Sequence, residues 1–208
     1  MKCTAYQTAY RHIESIIQER TSVSEGIASL LQLCNKLQPS PIWKKLSTLN
    51  FEGDCRQLAH WLKQLLIAEP PENEINGFWF GLFNPIVDGE PTAGLYLCGS
   101  TRFDPKREDP DWPCNPGYFP DGRYADSTVL DSIYKTAYEK KSDVSNFAEY
   151  VLCLGYVSLI AARWCRGAMQ PMLLGNTPLR AVAVGFDSGD RLLIDVLRQQ
   201  RRSAKRHR

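Results

Sequence analysis

The sequence predicts an α+β fold in a single domain. Helical periodicity fills the first 70 residues. Two strand–turn–strand patterns follow, one around Asp88-Gly89 and one around Asp187-Ser188-Gly189-Asp190, and helical patterns return between them. Helices grouped between antiparallel hairpins argue for α+β rather than for a doubly wound parallel sheet.

The helices come first. Tyr6 to Arg20 carries Tyr6, Tyr10, Ile13, Ile16 and Ile17 at spacings of three and four, which makes one apolar face. Ser24 with Glu25 is expected to start a second helix, whose buried side holds Ile27, Leu30, Leu31, Leu33, Cys34 and Leu37 until Pro39 and Pro41 stop it. Asp54 is expected to cap a third helix through Leu58, Trp61, Leu62, Leu65 and Leu66, ended by Pro70-Pro71.

The pattern then changes. Gly77-Phe78-Trp79-Phe80-Gly81-Leu82-Phe83 is short and aromatic-rich, which suits a strand. Asn84-Pro85 and Asp88-Gly89 are turn signals, and Ala93 to Gly99 reads as the hairpin partner. Asp104 to Gly122 holds five prolines and several acids, so it reads as a long irregular loop of the kind that often carries function. Ser127 caps a helix from Val129 to Lys140, and Ser145 or Asn146 caps an apolar helix reaching about Trp164. Ala181 to Phe186, a turn at Asp187 to Asp190, and Arg191 to Val196 form the closing hairpin. The expected organisation is one domain over 1–197, helical over 1–70 and mixed over 77–196, followed by a basic tail over 198–208.

Composition bounds the function. The 208 residues are 43% hydrophobic and 23% charged, which is ordinary for a globular chain able to bury a core. The formal charge of +2 hides an asymmetry. Arg198, Arg201, Arg202, Lys205, Arg206 and Arg208 are six basic residues in the last eleven, and subtracting them leaves the body near −4. The tail holds no aromatic residue to stack on bases, so it reads as a solvated end and not as a nucleic-acid arm. The seven cysteines (Cys3, Cys34, Cys55, Cys98, Cys114, Cys153, Cys165) are odd in number and contain no CxxC pair. The opening Met1 to Tyr6 has no apolar signal core, so reduced thiols and a cytoplasmic location are expected. The longest apolar stretch, Tyr150 to Ala162, is too short to span a bilayer and reads as a buried helix.

The search for chemistry gives little. Only His12, His60 and His207 are present, and Cys55 and His60 stand five apart, which does not bring them face to face on a helix. No Cys/His cluster has zinc spacing, and no GxxxxGK[ST] or GxGxxG occurs. Asp187 to Asp190 lacks the later ligands of a calcium loop. No cofactor and no metal is expected. In the proline-rich loop, Glu108, Asp109 and Asp111 stand beside Trp112, Tyr118, Phe119 and Tyr124. Acids with large rings suit a recognition surface, so Glu108, Asp109, Asp111, Trp112, Tyr118 and Phe119 are the candidate partner-binding residues. The competing readings of the same residues are a hydrolase using the loop carboxylates, solvated acids, and rings that pin the loop to the core.

Three segments together carry a resemblance. They are Gly77 to Leu82; Leu95 to Ser100 with Phe103-Asp104 and Asp111 to Asn115; and Ala183 to Asp190. Over Gly77 to Val196 the chain resembles small bacterial immunity proteins encoded beside polymorphic toxins of Rhs or contact-dependent inhibition type. The resemblance implies a non-catalytic protein that binds and neutralises one cognate toxin domain. It carries over no active-site residue, and an adaptor or structural module is the other non-enzymatic reading.

Overall fold

The computed structural model describes residues 2–107, 109, 111–114, 116–139, 144–187 and 189–199. The chain opens with α1 (Lys2–Gln18), α2 (Val23–Leu37), α3 (Ile42–Leu46) and α4 (Phe51–Ala68). The first helix ends two residues before the expected Arg20, because Arg20 takes a left-handed φ of 59°. Its N–H bonds Ile17 O at 3.1 Å and that of Thr21 bonds Ile16 O at 3.1 Å, a Schellman ending.

Two expected caps are corrected. The second helix is capped by Ser22, not Ser24, through a reciprocal capping box with Glu25. Ser24 instead donates to Glu52 at 3.0 Å. The fourth is capped by Asn50, which accepts from Gly53 N at 3.0 Å, and Asp54 lies inside the helix, 3% exposed. Its carboxylate accepts from Ser127 Oγ (2.7 Å), Thr128 Oγ1 (3.1 Å), Val129 N (3.3 Å) and Tyr156 Oη (2.9 Å). Asp54 therefore joins α4 to the two helices that follow.

The expected hairpin is present. β1 (Gly77–Phe83) pairs antiparallel with β4 (Gly94–Ser100), from Gly77 opposite Ser100 to Phe83 opposite Gly94. The intervening residues add a small hairpin, β2 (Ile86–Val87) with β3 (Glu90–Pro91). Asp88 (φ 52°) and Gly89 (φ 82°) turn its corner with the two positive φ values that a tight two-residue turn needs.

The proline-rich loop returns through β5 (Tyr124–Ala125), which joins the free edge of β4. Next come α5 (Thr128–Tyr138), capped by Ser127 as expected, and α6 (Ser145–Arg166). Neither Ser145 nor Asn146 caps α6. Ser145 Oγ donates to Ala137 O at 2.6 Å, and Asn146 Oδ1 accepts from Tyr138 Oη at 2.6 Å, so both tie α6 to α5. Among the described residues, α6 is the one helix long and apolar enough to cross a membrane. It is longer than its apolar run, and 83% of its most apolar window is buried in the protein, as in a core helix. A short α7 (Gln170–Leu174) leads to the closing hairpin, β6 (Leu179–Phe186) and β7 (Arg191–Arg198).

The five main strands run in the order β5-β4-β1-β6-β7. β6 pairs with β1 in parallel, Gly77 beside Ala181 through Leu82 beside Phe186, so the two hairpins fuse into one mixed sheet. The helices cover one face. There Phe78, Phe80, Leu82, Val182, Val184 and Leu192 join the same core as residues of α1, α2, α4, α5 and α6. The N-terminal helices and the mixed part therefore share one core.

Arg180 stitches the start of β6 to its surroundings. It is 1% exposed, donates to Ile75 O (2.8 Å) and Leu173 O (2.9 Å), and stacks 4.5 Å over Phe78. Burial disfavours its charged form and pulls its pKa down to about 10.

The strand β7 closes at Gln199, whose N–H bonds Pro178 O at 3.1 Å. The basic tail lies outside the described residues from residue 200 onward. Truncation after Gln199 is expected to leave the urea midpoint unchanged, because every bond described for the hairpin is retained. A large loss of stability would show that the tail docks on the body.

Candidate functional site

The sheet's second face is covered only in part. Period-two alternation sends Trp79, Tyr96, Cys98, Ala181 and Ala183 to this side. Phe103 and Trp112 of the loop fold over one half of it, with their rings 5.4 Å apart. The other half stays open as a groove of about 910 Å³, between the loop and the β6–β7 turn. Trp79 and Tyr96 form its floor, Asp111 and Phe119 one wall, and Asp187 and Arg191 the other.

Small residues make the floor possible. A Cβ on Gly81 would come within 2.2 Å of Tyr96 and 2.7 Å of Trp79 Nε1, and one on Gly185 within 2.5 Å of Trp79. The two rings pack against backbone that glycine leaves bare. Tyr96 Oη donates to Asp187 Oδ1 at 2.6 Å. Burial first, then that bond and the aspartate's charge, push the Tyr96 pKa up, so its hydroxyl stays a donor at neutral pH. Burial likewise pushes the Cys98 thiol up to about 12, with Asp187 adding to the shift.

The loop wall is braced. The Asn76 side chain exchanges bonds with the backbone of Phe103 at 2.9 and 3.1 Å. Gly99 and Tyr118 exchange backbone bonds at 2.8 and 3.0 Å. The Glu69 carboxylate accepts from Asp121 N (2.7 Å) and Gly122 N (2.9 Å), and Trp61 Nε1 donates to Gly122 O at 3.0 Å. On this support stands a ridge. The Arg123 guanidinium lies 3.9 Å over the Phe119 ring and 4.6 Å over the Tyr124 ring. Phe119 is 52% and Tyr124 53% exposed, a large apolar investment at a polar surface.

The six candidate residues fall into distinct places. Glu108 lies outside the described residues. Asp109 is engaged by Arg102 at 3.0 Å and accepts from Asp111 N at 2.9 Å, so it shapes the loop. Asp111 and Phe119 line the groove. Trp112 and Tyr118 are corrected: neither is a surface anchor. Trp112 is 4% exposed under the loop. Tyr118 is 9% exposed, its ring 6.0 Å from Phe78 and its hydroxyl donating to Glu69 O at 2.6 Å. Both pin the loop, which was the competing reading of these rings. Trp79, Tyr96 and Asp187, which the sequence reading did not single out for this surface, line the groove, and Tyr124, grouped there with the loop rings, stands on the ridge. Alternation along Gly77–Phe83 and Gly94–Ser100 was the signal for the first two, since it sets Trp79 and Tyr96 apart from the core-facing Phe78, Phe80, Leu95 and Leu97.

Other reactive groups have structural partners. His12 Nε2 pairs with Ser29 Oγ at 2.8 Å, and Cys55 Sγ lies 3.7 Å from Arg163 Nη1. Cys34, Cys55, Cys98, Cys114, Cys153 and Cys165 are free thiols. No group of three or more metal-ligating side chains occurs among the described residues. Asp190 accepts from Tyr150 Oη, so the acids of the β6–β7 turn are taken up by tyrosines, while Ser188 lies outside the described residues. The groove presents an aromatic floor, the exposed Phe119 ring and the carboxylates of Asp111 and Asp187, the latter held by Tyr96. Comparison with known proteins gave no match to any family model, curated protein or solved structure.

Proposed function

We propose that this chain is an immunity protein, a non-catalytic inhibitor that binds and blocks one cognate toxin domain of a bacterial polymorphic toxin system in the cytoplasm. The observation that carries the reading is the open half of the sheet's second face. There Phe119 and Asp111 of the braced loop stand opposite Asp187 and Arg191, above Trp79 and Tyr96. A stoichiometric inhibitor works by affinity alone. It gains most from a rigid surface, which loses little conformational entropy on binding, and from exposed rings that a partner can desolvate. The acidic body adds a means of steering a basic partner.

The test is genetic and biochemical together. Expression of the toxin encoded beside this gene should arrest growth, co-expression of this chain should restore it, and the two proteins should co-purify in equal amounts. Failure of rescue and of co-purification with every neighbouring toxin would sink the reading. Turnover of a substrate by the purified protein would replace it with an enzymatic one.

A further inference from the structure

A second cleft, of about 620 Å³, lies beyond the ridge, between the β2–β3 hairpin and the start of α5. Phe83 and Tyr124 wall it, their ring centroids 5.4 Å apart, and Ala93, Gly94 and Ala125 form its base. Val87 overhangs it from the hairpin, 53% exposed. Four carboxylates line it (Asp88, Glu90, Asp126 and Asp131) against one cation, Lys135. That lysine is committed to Asp131 at 2.8 Å, and Asp131 also accepts from Thr92 Oγ1 at 2.6 Å. The side chains of Asp88, Glu90 and Asp126 have no hydrogen-bond or ion-pair partner among the described residues. The positive end of α5 is already met by Ser127 and by the buried carboxylate of Asp54.

We infer that this cleft receives an arginine-bearing segment of the partner protein, so that the contact runs from the groove over the Phe119–Arg123–Tyr124 ridge and into the cleft. The assignment of the partner rests on the binding role proposed above. Three features select an arginine. Three carboxylates are unpaired on the rim. Two aromatic rings, Phe83 and Tyr124, line the wall beside them, with Tyr124 already carrying the Arg123 guanidinium on its ridge side. Tyr124 belongs both to the ridge and to the cleft wall, which makes the two surfaces continuous. The ridge itself sets the pattern, since Arg123 already lies over both Phe119 and Tyr124.

The probe is an acetylated tetra-arginine peptide amide, added to the full ¹⁵N-labelled chain at low ionic strength and followed by amide chemical shifts. Shifts are expected to concentrate in residues 83–94 and 124–135. The triple variant Asp88→Asn/Glu90→Gln/Asp126→Asn should weaken the peptide at least ~10-fold, whereas Glu74→Gln, an exposed carboxylate outside both the cleft and the groove, should leave it unchanged. Tetra-lysine should bind more weakly than tetra-arginine, because it lacks the planar face. Shifts centred on residues 111–119 and 186–191, or wild-type binding by the triple variant, would overturn the assignment. Tighter peptide binding by a chain cut after Gln199 would give the cleft to the protein's own basic end, and would overturn it as well. None of these readouts involves the toxin, so the cleft and the immunity reading can fail separately.

Discussion

Replacement of Trp112 by alanine is expected to unfold the protein's second face, at a cost of about 3–5 kcal/mol in global stability. The indole is 4% exposed and packs edge-on against Phe103, with ring centroids 5.4 Å apart. It also lies so close to the sheet that a Cβ on Gly77 would meet it at 2.4 Å. Truncation leaves a large cavity between loop and sheet, and the loop, held in place by its bonds to Asn76, Gly99 and Glu69, cannot collapse to fill it. For a chain of this size the loss corresponds to a fall of roughly 6–20 °C in the thermal midpoint. Asp111→Lys and Phe119→Ala should each stay within about 1 kcal/mol of wild type, because both side chains face solvent. Urea and thermal denaturation measure the contrast. A Trp112→Ala protein of wild-type stability would mean that the indole stands outside the fold, as a partner-facing anchor.

Asp54→Ala is expected to cost about 3 kcal/mol or more, because it leaves several buried donors without an acceptor. The carboxylate serves Ser127, Thr128, the backbone N–H of Val129 and Tyr156 at once, and so ties α4 to the beginning of α5 and to α6. Tyr156→Phe should cost only about 1 kcal/mol, since it removes one donor and leaves the rest of the cluster in place. Asp54→Asn should fall between the two. Equilibrium unfolding in urea, monitored by circular dichroism, gives all three values. An Asp54→Ala protein within about 0.5 kcal/mol of wild type would show that water takes over the carboxylate's role.

Local chemistry explains which parts of this architecture could be read from residues. Helices α1, α2 and α4, the pairing of Gly77–Phe83 with Gly94–Ser100, and the hairpin closed at Asp187 to Asp190 all follow from periodicity and turn residues acting over short spans, whereas α3, only 5 residues long, is too short to show a period. The Ser22–Glu25 capping box carries a local signature, a serine followed three residues later by a glutamate, but the neighbouring Ser24 offers the same residue type and reads as the start. The parallel union of β1 with β6 was not legible. It joins segments almost a hundred residues apart, and no local pattern distinguishes a hairpin that stands alone from one that extends a sheet. Asp54 left a trace that a capping role concealed. It stands one turn before Leu58 and two before Leu62, on the buried stripe of its helix. A carboxylate there demands donors from elsewhere in the fold.

The site divides in the same way. A loop has no periodicity, so nothing local separates Trp112 and Tyr118, which face inward, from Phe119, which faces out. Long-range contacts decide: Tyr118 donates to Glu69 O, and Trp112 packs on Phe103, which Asn76 holds. Tyr96 and Asp187 meet across the sheet only because β1 lies between β4 and β6, a consequence of the parallel pairing that residues alone did not reveal.

The partner contact proposed for this protein is the groove beside Phe119. Titration calorimetry of the co-purifying toxin domain, catalytically inactivated, against wild type and against a folded Phe119→Ala/Asp111→Lys variant tests it most directly. The variant is expected to bind at least ~30-fold more weakly, equivalent to about 2 kcal/mol, with circular dichroism and denaturation midpoint close to wild type. Wild-type affinity in that folded variant would contradict it, and would place the contact on another face of the protein.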